Sequence, residues 1–194
     1  MKRLFLLLTV VLIPILSQRQ EEKPDKKGWI GFSMGAAVPV GDFGLEDGGN
    51  AATGFNFTLI NFGYKFHPNI GLNTMITGSV HASNSGAIID FGNWAYGGFL
   101  VGPIFTLPIK VVEFDLRVLG GMMGVGTTSS VSNNGAGFCY DFGLGFRLNA
   151  SRLIAFPIYV DYLHTNPSIT LLGNTDNVAV NVINITFGLA FRIR

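Results

Sequence analysis

The sequence predicts an all-β protein, an eight-stranded antiparallel up-and-down transmembrane β-barrel. Three observations carry that expectation. Apolar residues recur with period two in segment after segment, the mark of strands whose successive side chains face opposite sides. The breaks between these segments run long, short, long, short, long, short, long. The alternation is undiluted to the end of the chain: Ile185, Phe187, Leu189, Phe191 and Ile193 interleave with Asn184, Thr186, Gly188, Ala190 and Arg192. A soluble β-sandwich or lipocalin-like barrel is the competing fold, but it has no reason to sort its connections by length.

Composition agrees with a membrane-facing β protein. The chain has 194 residues, 48% hydrophobic and only 13% charged, with 26 glycines and 17 phenylalanines. That is too apolar for disorder, and the length suits one domain. The uninterrupted apolar run Leu4–Leu16 follows Lys2 and Arg3 and precedes Ser17, which fits a secretory signal peptide over residues 1–17. It is short of the roughly 20 residues a spanning helix needs, which disfavours a retained anchor. Residues 18–27 are mixed in charge, contain Pro24 and read as a periplasmic lead-in; residues 28–194 form the barrel. Without the leader the chain is nearly neutral, and nothing in it argues for nucleic acid. Cys139 is the sole cysteine, so no internal disulfide forms and no cysteine after the leader can take a lipid.

Strand one is expected over Trp29–Val40, with Ile30, Phe32, Met34, Val38 and Val40 on one parity and Gly31, Ser33 and Gly35 on the other. Gly41–Ala52 is a long polar loop. In Thr53–Phe66 the apolar parity switches from Phe55, Phe57 and Leu59 to Ile60, Phe62, Tyr64 and Phe66, which signals a bulge. His67-Pro68-Asn69 is a tight turn into Ile70–His81, and Ala82–Asn93 is the second long loop. Trp94–Leu107 suggests a second phase change at Gly97-Gly98. Pro108-Ile109-Lys110 turns into Val111–Val125, which sets Val112, Phe114, Leu116 and Val118 against Glu113, Asp115 and Arg117. After a third long loop, Phe138–Leu148 alternates most cleanly. Asn149–Arg152 turns into Leu153–His164, and the long loop Thr165–Asn177 leads to the closing strand, Val178–Arg194. Strands of 11 to 17 residues exceed the roughly 9 to 11 needed to cross a bilayer at a ~45° tilt. An even count puts both termini on the short-turn side, which in bacterial barrels is the periplasm.

Three stretches carry resemblances. Thr186-x-Gly188-x-x-Phe191-x-Ile193 resembles the C-terminal signal of bacterial outer-membrane proteins, which implies recognition by the barrel assembly machinery. Gly28–Asp42, with the mid-chain Phe114–Gly121 and the closing strand, resembles the small outer membrane protein β-barrel domain families of Bacteroidetes type, similar to OmpX and the OmpA barrel. That resemblance implies an outer-membrane location and outer-membrane lipid as the surroundings. It names no task.

Parity places Glu113, Asp115, Arg117, Arg147, Arg192 and Lys65 inside, towards the short turns, as a lumenal ion-pair cluster. An eight-stranded barrel is just wide enough to be filled by side chains, and charges buried there need partners. Asp141 and Asp161 lie inside nearer the long loops. A hairpin that paired Leu148 with Ile154 would set them opposite each other, giving either a cation or shared-proton site or two acids solvated at an open mouth beside His81. The long loops hold Asp42, Glu46, Asp47, Asp90 and Asp176 and no Lys or Arg. That acidic surface disfavours anionic ligands. Apolar Ile88, Ile89, Phe91, Ile169, Leu171 and Leu172 offer an edge for a protein partner or tuck back onto the mouth.

No catalytic, cofactor or metal site assembles from the sequence. His67, His81 and His164 lack metal-ligand spacing. Lipid A deacylase barrels use a His-x-Ser pair with a Glu near the rim. His164 with Ser168 resembles this only loosely, the spacing differs, and the adjacent strand offers no acid. Trp29, Tyr64, Phe66, Trp94, Tyr96, Tyr140 and Tyr162 fall near strand ends and are expected in the aromatic girdles where barrels meet headgroups. The reading is a non-enzymatic barrel with a filled lumen that serves envelope structure, surface interaction or a larger envelope complex; the alternatives are a narrow porin-like channel and a lipid A-modifying hydrolase.

Overall fold

A computed structural model of the protein describes residues 27–46, 48–83, 93–127, 134–171, 174–177 and 179–193. The expected leader and nearly all of the lead-in lie outside these residues, as do Asp47, Ile88, Ile89, Asp90, Phe91 and Leu172.

Eight long antiparallel strands close into a barrel. They are β1 (Gly28–Pro39), β2 (Gly54–His67), β3 (Ile70–His81), β4 (Trp94–Ile109), β5 (Val112–Thr127), β6 (Asn134–Leu148), β7 (Ile154–Thr165) and β10 (Val180–Ile193). Each pairs with its sequence neighbour along the barrel, and β1 pairs with β10 over twelve residues, from Gly28 opposite Ile193 to Pro39 opposite Val182. Closure leaves no sheet edge with unpaired backbone groups, which is the condition for a β structure in hydrocarbon.

Side-chain orientation follows the expected parity. Phe32, Leu59, Phe99, Leu116, Leu144 and Phe187 stand exposed on the outer face, while Asn73, Asp115, Arg117, Asp141, Arg147 and Asp161 are buried in the lumen. Water could not keep such an outer surface bare, whereas acyl chains could.

The bulge in β2 is present. The β2–β3 register slips between Thr58 and Ile60, so Leu59 and Ile60 both face outward and the apolar parity resumes on even positions. The phase change expected at Gly97-Gly98 is not. β4 runs in continuous register against β3, with Trp94, Tyr96 and Leu100 inward and Ala95, Gly97 and Phe99 outward throughout. The apparent switch came from taking two aromatic residues as lipid-facing. They are lumenal.

The loops add structure that polar composition concealed. A single 3-10 turn, η1 (Gly41–Phe43), follows β1, and its Phe43 is fully buried. The connection expected as a long loop between β7 and β10 contains a short hairpin of β8 (Ser168–Leu171) and β9 (Asn174–Asn177), set apart from the barrel sheet.

Candidate functional site

The lumen is stratified, and its lowest layer is the ion-pair cluster. The β5–β6 register sets Glu113 opposite Arg147. Arg147 donates to Glu113 at 2.7 Å and to both oxygens of Asp115, at 2.6 and 3.0 Å. Lys65 of β2 adds a 3.1 Å bond to Glu113. Asp115 also accepts from Thr106 (2.7 Å) and from the Tyr159 hydroxyl (3.1 Å). Two acids and two bases thus satisfy one another, which is how buried charge avoids its desolvation penalty. Arg192 sits at the rim of this layer, close enough to Glu113 to attract it and 3.5 Å from the Ser151 carbonyl.

Trp29 forms part of this layer and lies outside any girdle. It is buried, with the Arg147 guanidinium 3.4 Å from its ring centroid, a cation–π stack. Its cross-strand partner is Gly63, and a Cβ on Gly63 would fall inside the indole. A residue near a strand end signals a girdle only if its parity is outward; position alone misled for Trp29, Trp94 and Tyr96. Tyr64, Phe66 and Tyr162 are exposed on the outer face as expected.

The middle layer is built on Arg117. Its Nε and Nη2 bond Asp161 at 3.0 and 2.7 Å, a two-pronged pair, and its Nη1 reaches Asn73 at 3.4 Å. Its Cζ lies over the Tyr159 ring, 4.1 Å from the centroid. Arg117 and Asp161 flank Gly143, the cross-strand partner of both. A Cβ there would land on the Asp161 carboxylate and 2.6 Å from Arg117 Nε, so the absent side chain leaves the space that the pair fills. The expected grouping is corrected here: Arg117 belongs with the upper carboxylates and not with Glu113 and Asp115.

The expected juxtaposition of Asp141 and Asp161 also shifts. Leu148 pairs with Phe156, two residues on from Ile154, so Asp141 stands opposite Leu163 and Asp161 opposite Gly143. Neither acid is solvated at an open mouth; both are buried, Asp141 at 0% exposure. Asp141 comes no nearer than 3.9 Å to Arg117 Nε, and both its oxygens lack a hydrogen-bond partner.

The upper layer is an apolar plug. Phe43 drops into the barrel and meets the rings of His81 and Trp94 edge-on at 5.5 and 5.4 Å. Trp94 Nε1 donates to the Gly49 carbonyl at 2.7 Å and His81 Nδ1 lies 2.9 Å from the Ala52 carbonyl, so the loop after β1 is tied into the mouth. Leu100, Leu119, Met123, Cys139, Leu163 and Val182 complete the layer. A Gly-Asp-Phe triplet ahead of polar residues was the signal available in the sequence, but nothing in it fixed which way Phe43 would turn.

On the outer face, His164 Nδ1 lies 2.6 Å from Asn181 Oδ1, which also accepts from the Tyr162 hydroxyl at 3.0 Å, and Tyr140 stacks on the imidazole at 4.7 Å. Ser168 donates its hydroxyl to Asn177 at 2.8 Å. His164 is therefore oriented by a neutral amide, and Ser168 is engaged elsewhere, so the arrangement provides no activated nucleophile. Among the described residues no group of three or more His, Cys, Asp or Glu side chains could hold a metal.

Of the closing-strand signal residues, Thr186 is buried facing the lumen and Phe191 faces outward. Gly188 lets β1 approach closely at Ser33, its cross-strand partner.

Fold and lumen together define a small, closed, eight-stranded barrel with an apolar exterior and a side-chain-filled interior. Solved structures with this architecture include outer-membrane proteins. The chain is similar to Neisserial surface protein A, with a TM-score of 0.63 at 11% identity over 86% of this chain and 97% of that one. It is similar to OprG from Pseudomonas aeruginosa (TM-score 0.52, 13% identity, 87% and 97% covered). It is likewise similar to the outer membrane protein AlkL (0.52, 12%, 90% and 94%). These likenesses establish the fold. No protein-family model matches the sequence, and no curated protein is similar to it in sequence.

Proposed function

We propose that the protein is a non-enzymatic integral barrel of the bacterial outer membrane, with both termini on the periplasmic side, that serves envelope structure or binding at the cell surface and does not conduct. Residues 1–17 act as its signal peptide in this reading, the closing strand is presented to the assembly machinery, and kinship with the Bacteroidetes-type barrels remains part of the proposal. The observation that carries it is the double block of the lumen: the Arg117 and Arg147 ion-pair layers below, and Phe43 between His81 and Trp94 above. A channel needs a continuous polar path, and here an apolar plug lies across it. A lipid hydrolase needs a nucleophile beside its base, and His164 is instead bound to Asn181.

The work is then left to the outer surfaces: the lipid-facing wall, and the long loops with their acids and no bases. We expect a partner at those loops to be a protein or a neutral or basic surface and not an anionic polymer. The test is purification from outer membranes, gel mobility before and after boiling, and single-channel recording in planar bilayers. A heat-dependent shift with no unitary conductance supports the proposal; identical mobility, or steady channel openings, contradicts it.

A further inference from the structure

We propose that the upper lumen holds a monovalent hard cation, of which sodium is the natural example, between Asp141 and Asn184. The inference rests on unpaired acceptors and local charge, and it holds wherever the barrel resides.

Asp141 is wholly buried, and neither of its oxygens accepts a hydrogen bond. A carboxylate taken from water with nothing in return is among the costliest groups a protein can bury. Arg117 does not resolve this. Its Nε and Nη2 are spent on Asp161, its Nη1 points to Asn73, and the 3.9 Å to Asp141 exceeds a hydrogen bond.

A second acceptor shares the predicament. Asn184 Oδ1 is buried without a donor. Asn184 stands opposite Asp161 in the β10–β7 ladder, which brings it to the same layer. Tyr96 points inward from β4, four strands away from Asn184 round the barrel in either direction, and its buried hydroxyl likewise has no hydrogen-bond partner. Oxygen atoms of a carboxylate, an amide and a hydroxyl therefore converge from several walls of the lumen. An all-oxygen donor set selects a hard cation over a soft or transition metal.

Charge balance selects its valence. The lower layer holds Lys65, Arg147 and Arg192 against Glu113 and Asp115. That layer has one positive charge in surplus, Arg192 at its rim, whereas the middle layer holds Arg117 against Asp141 and Asp161, one negative charge in surplus. One positive charge brings this buried group to neutrality; a divalent ion would leave an excess of the opposite sign. Phe43, Trp94 and Leu163 close the layer above, so an ion held here is shielded from water and exchanges only when the plug lifts.

The experiment measures urea unfolding of the refolded full-length protein in detergent at fixed pH and ionic strength, exchanging sodium chloride for N-methylglucamine chloride, whose cation is too large for the lumen. A cation bound only by the folded state raises the folding equilibrium constant about tenfold per decade of concentration above its dissociation constant. The wild type is expected to show this rise. Asp141→Asn, which keeps the shape and removes the charge, is expected to be flat, and Asn184→Ala to respond more weakly than wild type. A wild type indifferent to the exchange overturns the proposal, because a proton or a water then satisfies Asp141. A sodium response of equal size in Asp141→Asn overturns it too, by placing the ion elsewhere.

Discussion

Replacing Arg117 with methionine tests the layered lumen at its middle. Methionine has similar reach and no charge, so the change removes the two bonds to Asp161, the 3.4 Å contact to Asn73 and the stacking on Tyr159, while leaving most of the volume filled. Asp161 is then buried without a cation, and Asp141 loses the nearest positive charge it has. Breaking one partner of a buried ion pair costs about 3–5 kcal/mol, because the abandoned charge keeps its desolvation penalty. That corresponds to roughly two to three and a half decades in the folding equilibrium constant. The double variant Arg117→Met with Asp161→Asn abandons one charge fewer and should recover most of the loss. Urea titration in detergent or lipid vesicles, followed by tryptophan fluorescence, measures both. A single variant within about 0.5 kcal/mol of wild type, the range of ordinary surface changes, would refute the reasoning; so would a double variant no more stable than the single one.

Other perturbations read the remaining layers. Gly143→Ala places a methyl group on the Asp161 carboxylate, and overpacking of this kind costs about 1–3 kcal/mol; the same urea titration detects it. Trp29 and Trp94 lie inside the barrel, so brominated acyl chains should quench their fluorescence weakly, whereas girdle tryptophans would be quenched strongly. Phe43→Ala should unseat the plug and let iodide quench Trp94 without loss of the barrel's circular dichroism. On the outer wall, Leu144→Arg should cost about 2–4 kcal/mol if that position lies near the bilayer midplane, which refolding into vesicles would show.

How much of this was legible in the sequence depended on whether parity alone decided the outcome. It did for the strand count, for Ile70–His81, whose bounds coincide with β3, and for the inward placement of every lumenal charge. The β2 bulge was legible as well, because Leu59 and Ile60 are adjacent apolar residues and only an irregular register turns both outward. Partners were less legible. A turn that pairs Leu148 with Ile154 sets Asp141 opposite Asp161, and the shift of two residues to Phe156 keeps every side chain on its face while changing every pair. Position along the strand points Trp29, Trp94 and Tyr96 to the girdles, whereas Gly63, the cross-strand partner of Trp29, leaves room for that ring inside. Phe43 was invisible because a loop residue has no periodicity to betray its direction.

The account depends most on closure between the first and last strands with the apolar faces outward. Cross-strand backbone NOEs between β1 and β10, recorded on the protein in lipid nanodiscs, test it most directly. The structure requires contacts between Gly31 and Ala190, Ser33 and Gly188, and Gly35 and Thr186, together with acyl-chain contacts to Phe32 and Phe187 side chains. Finding β1 unpaired, paired in a register offset by one residue, or showing lipid contacts at Ser33 and Thr186 instead would contradict it.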